Sequence, residues 1–96
     1  MKHDIFEGTI QLDYNGKVRT VPYEIETSPG YGGLPFAGVT DVNNKYYSFV
    51  RDTNGKWDPP GVGPKWPSDF LELLYHALEI EYQCLQYKDG SWKRIE

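Results

Sequence analysis

Residues 66–82, WPSDFLELLYHALEIEY, form the only stretch long and periodic enough to demand a helix. Phe70, Leu73, Leu74, Ala77 and Leu78 recur at i, i+3, i+4, i+7 and i+8, which describes a stripe that must be buried against something else. Leu71 widens the stripe, and Tyr75 and Tyr82 flank it. Pro67 precedes the segment. Ser68 or Asp69 is the expected N-cap, with Asp69 and Glu72 at capping-box spacing. The expected helix therefore covers about residues 68–82.

What it packs against is written upstream, in period two. Residues 5–12 alternate, with Phe6, Ile10, Leu12 and Tyr14 on one side. Residues 18–26 alternate as well, with Val21, Tyr23 and Ile25 sharing a side. Asn15-Gly16 between them is the favoured pair for a two-residue hairpin turn. That loop pairs Tyr14 with Lys17, Ile10 with Val21 and Phe6 with Ile25, so both apolar rows fall on one face. Gly8 then lies opposite Tyr23, and Pro22 argues for a free strand edge at that point.

Residues 28–35, SPGYGGLP, read as a loop. They lack the Gly-Lys-Ser/Thr ending of a phosphate-binding loop. A second hairpin is expected over residues 36–42 and 46–52, turning at Asn43-Asn44 and pairing Gly38 with Phe49 and Thr40 with Tyr47. Asn54-Gly55 turns the chain into a short strand at Trp57. The likeness of residues 13–17 (DYNGK) and 52–56 (DTNGK) is shared turn chemistry; neither has the ligand pattern of a calcium loop. Residues 58–67 hold four of the seven prolines and form the connection to the helix. After the helix, Asp89-Gly90 predicts a last hairpin that pairs Tyr87 with Trp92.

The fold class is therefore α+β: an antiparallel sheet of four to six strands built from hairpins, with one helix packed on one face. A chain of 96 residues is expected to form one domain, residues 1–96. A single cysteine, Cys84, cannot close an intrachain disulfide. With no apolar leader and no run of about 20 apolar residues, a soluble cytoplasmic protein is expected.

Charge is unevenly spread. The chain has 14 acidic and 10 basic residues, for a net charge of −4. Asp69, Glu72, Glu79 and Glu81 lie between Lys65 and Lys88 with no cation among them, so the helix carries the whole excess. Nucleic-acid binding, which needs clustered cations, is disfavoured.

The helix face opposite the stripe presents Glu72, His76, Glu79 and Gln83. A solvated face, a partner surface and a metal site of Glu72, His76 and Glu79 compete as explanations. Glu79 and Glu81 sit in the last turns, where the helix dipole disfavours negative charge. Lys88, Lys93 and Arg94 are close enough in sequence to compensate them.

Catalysis is thinly represented. His76 and His3 are the only imidazoles, none of the four serines sits in a nucleophile setting, and Cys84 follows His76 by two turns. No catalytic residue, cofactor or metal is assigned. The leading expectation is a non-enzymatic acidic binding protein, an inhibitor or adaptor. It would meet a protein partner through Glu72, Tyr75, His76, Glu79 and Gln83. One alternative is an oligomeric binder of a nucleotide-like small molecule, with Tyr31, Trp57 and Trp66 lining its pocket. The other is a metal- or His-dependent enzyme centred on His76.

Overall fold

A computed structural model describes residues 5–31, 34–88 and 91–95. Five strands run in chain order: β1 (Ile5–Tyr14), β2 (Lys17–Tyr31), β3 (Leu34–Thr40), β4 (Tyr46–Arg51) and β5 (Trp57–Asp58). They form one antiparallel meander in the order β1-β2-β3-β4-β5. Helix α1 (Ser68–Gln83) covers one face and lies nearest β1. A separate hairpin of β6 (Leu85–Lys88) and β7 (Ser91–Arg94) follows it. The α+β architecture with one helix on one face is the one the alternations imply.

The first hairpin keeps the expected register along all of β1. Tyr14 pairs with Lys17, Ile10 with Val21, Gly8 with Tyr23 and Phe6 with Ile25. Asn15 and Gly16 both take positive φ, 52° and 76°, as a two-residue turn of this kind requires. Residues flanking such a turn exchange hydrogen bonds, and bonded pairs then alternate. Pro22 is therefore aimed away from β1. It sits one residue beyond the last β2–β3 pair of that ladder, Tyr23 with Val39, where no donor is required.

β2 corrects the loop expected at residues 28–35. The strand continues to Tyr31, which pairs with Leu34, and its register with β3 shifts between Glu26 and Tyr31. Pro29 has no N–H to give, and a Gly/Pro segment that follows a regular ladder accommodates the extra residues as an irregularity.

The second hairpin corrects the expected register by one residue. Thr40 pairs with Tyr46 and Gly38 with Ser48. Asp41 is responsible: its Oδ1 accepts the N–H groups of Asn43 at 2.8 Å and Lys45 at 2.9 Å. Asn44 takes φ 62°, and the loop closes through Asp41 N–H to the Lys45 carbonyl. The loop has one residue more than an Asn-Asn turn, and every side chain of β4 exchanges faces relative to the expected register. Phe49 consequently pairs with Ala37 in the core instead of facing Gly38. Asp52 repeats the device with Asn54, Lys56 and Gly55 (φ 82°) before β5. The structural twins are thus residues 41–45 and 52–56, and residues 13–17 form the tighter turn.

The core lies between the sheet and α1. Ile25, Ala37, Val39, Phe49, Leu74 and Leu78 are completely buried. Two details of the helix differ from expectation. Pro67 occupies the N-cap position without a side-chain cap bond, and its carbonyl accepts the Leu71 N–H. Asp69 Oδ1 accepts both the Tyr14 hydroxyl at 2.8 Å and the Phe70 N–H at 2.9 Å. Leu73 leaves the stripe and is 40% exposed. Among the described residues, no helix is long and apolar enough to cross a membrane.

Candidate functional site

The carboxylates at the end of α1 are compensated. Arg51 of β4 donates from Nε to Glu79 Oε1 at 2.8 Å and from Nη2 to Oε2 at 2.9 Å. Trp57 Nε1 adds a bond to Oε1 at 2.9 Å, and Gln83 Nε2 adds one to Oε2 at 2.6 Å. The Arg51 guanidinium also lies over the Tyr82 ring, 4.6 Å from its centroid. A charged planar fork, matched bidentately, favours the ionised carboxylate. The Glu79 carboxyl is accordingly held down to about 2.

Glu81 has its own cation. Arg94 of β7 approaches Oε2 at 3.4 Å, and the Tyr23 hydroxyl donates to Oε1 at 3.2 Å while accepting from Arg94 Nη2 at 2.9 Å. The two acids that violate the helix dipole therefore hold tertiary structure together. Arg94 was a nameable candidate from its nearness in sequence. Arg51 was not, because its face follows from a register that the Asp41 loop resets.

These bonds divide the residues expected to meet a partner. Glu72, His76 and Gln83 are exposed on the outer side of α1. Tyr75 is half-buried, edge-on to Phe49 with centroids 5.4 Å apart. Glu79 faces the sheet through Arg51 and Trp57. Glu72, His76 and Glu79 do not converge, and among the described residues no group of three or more His, Cys, Asp or Glu could hold a metal ion.

The aromatic pocket is also divided. Trp57 is a core residue, 2% exposed, whose indole contacts Tyr82 and Glu79. The Tyr31 side chain lies outside the described residues. Trp66 is half-buried elsewhere, edge-on to Tyr47 at 5.1 Å and to Phe70 at 5.5 Å. Trp57 and Trp66 are thus not brought together: the Trp57 ring is buried against Tyr82 with its N–H on Glu79.

Trp66 instead belongs to a groove of about 500 Å³ at the end of the sheet where the two hairpin tips meet the start of α1. Tyr14, Val18 and Arg19 reach it from the first hairpin, Val42 from the second, and Trp66 and Phe70 from the helix side. The meander places both tips at this end. Val18 and Val42 are 65% and 86% exposed. Apolar β-branched residues at turn flanks were a readable signal for this surface, but only the topology brings them together. Among the described residues, Arg19 and Asp41 are the charged groups that line the groove, and the lining Tyr14 donates its hydroxyl to the Asp69 carboxylate.

Comparison with protein-family models, curated proteins and solved structures finds no match for the chain.

Proposed function

We propose that this chain is a non-enzymatic binding protein, an inhibitor or adaptor, that takes an apolar segment of a protein partner in the groove at the hairpin-tip end. One observation carries this: Val18 and Val42, both largely exposed, converge with Trp66 and Phe70 on a single open groove. Contiguous exposed apolar surface rimmed by polar groups is characteristic of interaction sites. Half-buried aromatic rings held edge-on to neighbours supply rigid anchors at low entropic cost. Asp69 and Glu72 on the first turns of α1 would favour a segment with flanking Lys or Arg. The acidic helix face thus keeps a role through its N-terminal half, while Glu79 and Glu81 serve the fold.

The test compares capture of a protein from cell extract by the wild type and by Val18→Glu/Val42→Glu, with Glu79→Gln as a control. Capture lost in the double variant and kept in the control supports the groove. Equal capture by wild type and double variant, at unchanged circular dichroism, sinks it.

A second occupant, a nucleotide-like small molecule, is favoured by the groove volume, which lies within the range of about 300–1,000 Å³ typical of ligand sites. Arg19 would receive its anionic group. A saturable change in tryptophan fluorescence on adding nucleotides, abolished in Trp66→Phe, would select this occupant over a protein segment.

A further inference from the structure

We infer that the chain forms a two-fold dimer through the free edge of β1 and the adjoining flank of α1. β1 is an edge strand of ten residues, in unbroken register with β2. It contains no proline, lysine, arginine or bulge; the charges it carries are Glu7 and Asp13. Because Tyr14 and Lys17 flank a two-residue turn, Phe6, Gly8, Ile10, Leu12 and Tyr14 exchange bonds with β2. The backbone groups of Glu7, Thr9, Gln11 and Asp13 therefore point outward. Among the described residues, no strand pairs with them.

The helix supplies a second, independent observation. Its flank toward β4 and β5 carries Tyr75, Glu79 and Tyr82, which meet Phe49, Arg51 and Trp57. Its other flank lies on the β1 side, as the contacts of Asp69 and Phe70 with Tyr14 fix. Leu73, Ala77 and Ile80 follow one another there at i, i+4 and i+7. Leu73 is 40% exposed, Ile80 is 52% exposed and Ala77 is half-buried. An apolar helix flank and an open strand edge thus face the same side.

A second copy satisfies both at once. Antiparallel β1–β1′ pairing extends the sheet across the two-fold axis and sets the two helices side by side on one face. The outward groups allow only registers centred on a residue. Centred on Thr9, nine positions pair: Thr9 meets Thr9 of the second copy, Glu7 meets Gln11, and Ile5 meets Asp13. Centring on Ile10 would oppose Glu7 to Asp13, and centring on Gly8 would shorten the ladder. The Tyr14–Asp69 and Tyr23–Glu81 bonds fix how α1 lies along β1. Interpolation between them puts the helix between residues 77 and 80 over Thr9. The small Ala77 near the axis suits the interaxial distance of about 8–10 Å for packed helices.

Sedimentation equilibrium of the wild type should return twice the chain mass of 11.1 kDa. Thr9→Pro removes an N–H that β2 does not use, so the monomer fold survives while the shared ladder is blocked. Leu73→Glu/Ile80→Glu puts charge on a flank that the monomer leaves exposed. Both variants should sediment as monomers with unchanged circular dichroism. In hydrogen exchange, the N–H groups of Glu7, Gln11 and Asp13 should be protected in the wild type and should lose that protection in the variants. A wild type that stays monomeric at about 100 µM, well above the Kd of a stable dimer, overturns the inference, as do variants that remain dimeric. Neither site touches the hairpin-tip groove, so partner capture and dimerisation fail separately.

Discussion

Arg51 and Glu79, 28 positions apart in the chain, share two hydrogen bonds of 2.8 and 2.9 Å that lock the second half of α1 to β4. The pair is also an acid-sensitive element of the fold. Unfolded, the Glu79 carboxyl titrates near its ordinary 4.5; folded, it is held down to about 2, chiefly by the Arg51 hydrogen bonds. Its contribution is complete above about 4.5 and is lost as pH falls from there toward 2. With the carboxylate 29% exposed, solvent screening limits it to about 1–2 kcal/mol. Urea midpoints measured from pH 7 to pH 2 should fall across that window in the wild type and much less in Glu79→Gln. An Arg51→Met/Glu79→Leu double-mutant cycle at pH 7 should show coupling of similar size.

The alkaline limb has the opposite origin. Burial raises the Tyr23 and Tyr75 hydroxyls above 10, and burial with the Glu24 contact does the same for Tyr46. A raised folded value means stability intact below 10 and lost as pH climbs beyond it, because the unfolded chain ionises first. Tyr23→Phe should reduce that alkaline loss. It should also cost about 0.5–1.5 kcal/mol by removing the bridge between Glu81 and Arg94. Amides of β6 and β7 should exchange faster in this variant than in the wild type.

Two glycines in the sheet lie under tyrosine rings, and the rings differ in freedom. A Cβ on Gly8 would stand 2.9 Å from Tyr23 Cε1, and Tyr23 is buried and held by its hydroxyl. A Cβ on Gly38 would occupy the place of the Tyr46 phenol, but Tyr46 is 50% exposed and can swing away. Gly8→Ala should cost about 1–3 kcal/mol, as overpacking does. Gly38→Ala should lose only the Tyr46–Glu24 hydrogen bond, at about 0.5–1.5 kcal/mol, and should become neutral or stabilising in a Tyr46→Ala background. Chemical denaturation of the four variants checks the ranking.

Asp41 and Asp52 each tie two backbone N–H groups in equivalent three-residue loops. Their alanine variants should lose stability by similar amounts, about 1 kcal/mol each. Gly55→Ala should add a comparable loss, since φ of 82° is costly for any residue with a Cβ. Thermal melting of the three variants tests this.

How legible the chain was depends on the range of the interactions involved. The first hairpin could be read to the residue because its turn and its alternation specify the same register. The helix could be read because Phe70, Leu74 and Leu78 keep the helical period, even though Leu73 falls outside the buried stripe. The second hairpin slipped by one residue because a side chain, Asp41, decides its loop length, and Asn43-Asn44 is equally acceptable in either turn. That slip hid the orientation of Phe49 and, with it, the reach of Arg51. The candidate site suffered more. Trp57 and Trp66 are near in sequence, yet one seals the core and the other opens onto a groove, a difference set by β5 pairing with β4. Val18 and Val42 lie 24 positions apart in sequence and meet only because the strands form a meander.

That meander has a kinetic consequence. Every strand of the main sheet pairs with its immediate predecessor, so each loop closed during assembly is short. During synthesis β1 and β2 can zip as soon as residue 31 is clear, and β3 to β5 can be added in turn without waiting for distant chain. Only α1 and Arg94 must be complete before the apolar face is covered and the Tyr23 hydroxyl finds both its partners. Refolding should therefore show early strand signal followed by a later phase in which Trp57 and Trp66 fluorescence changes as the helix docks.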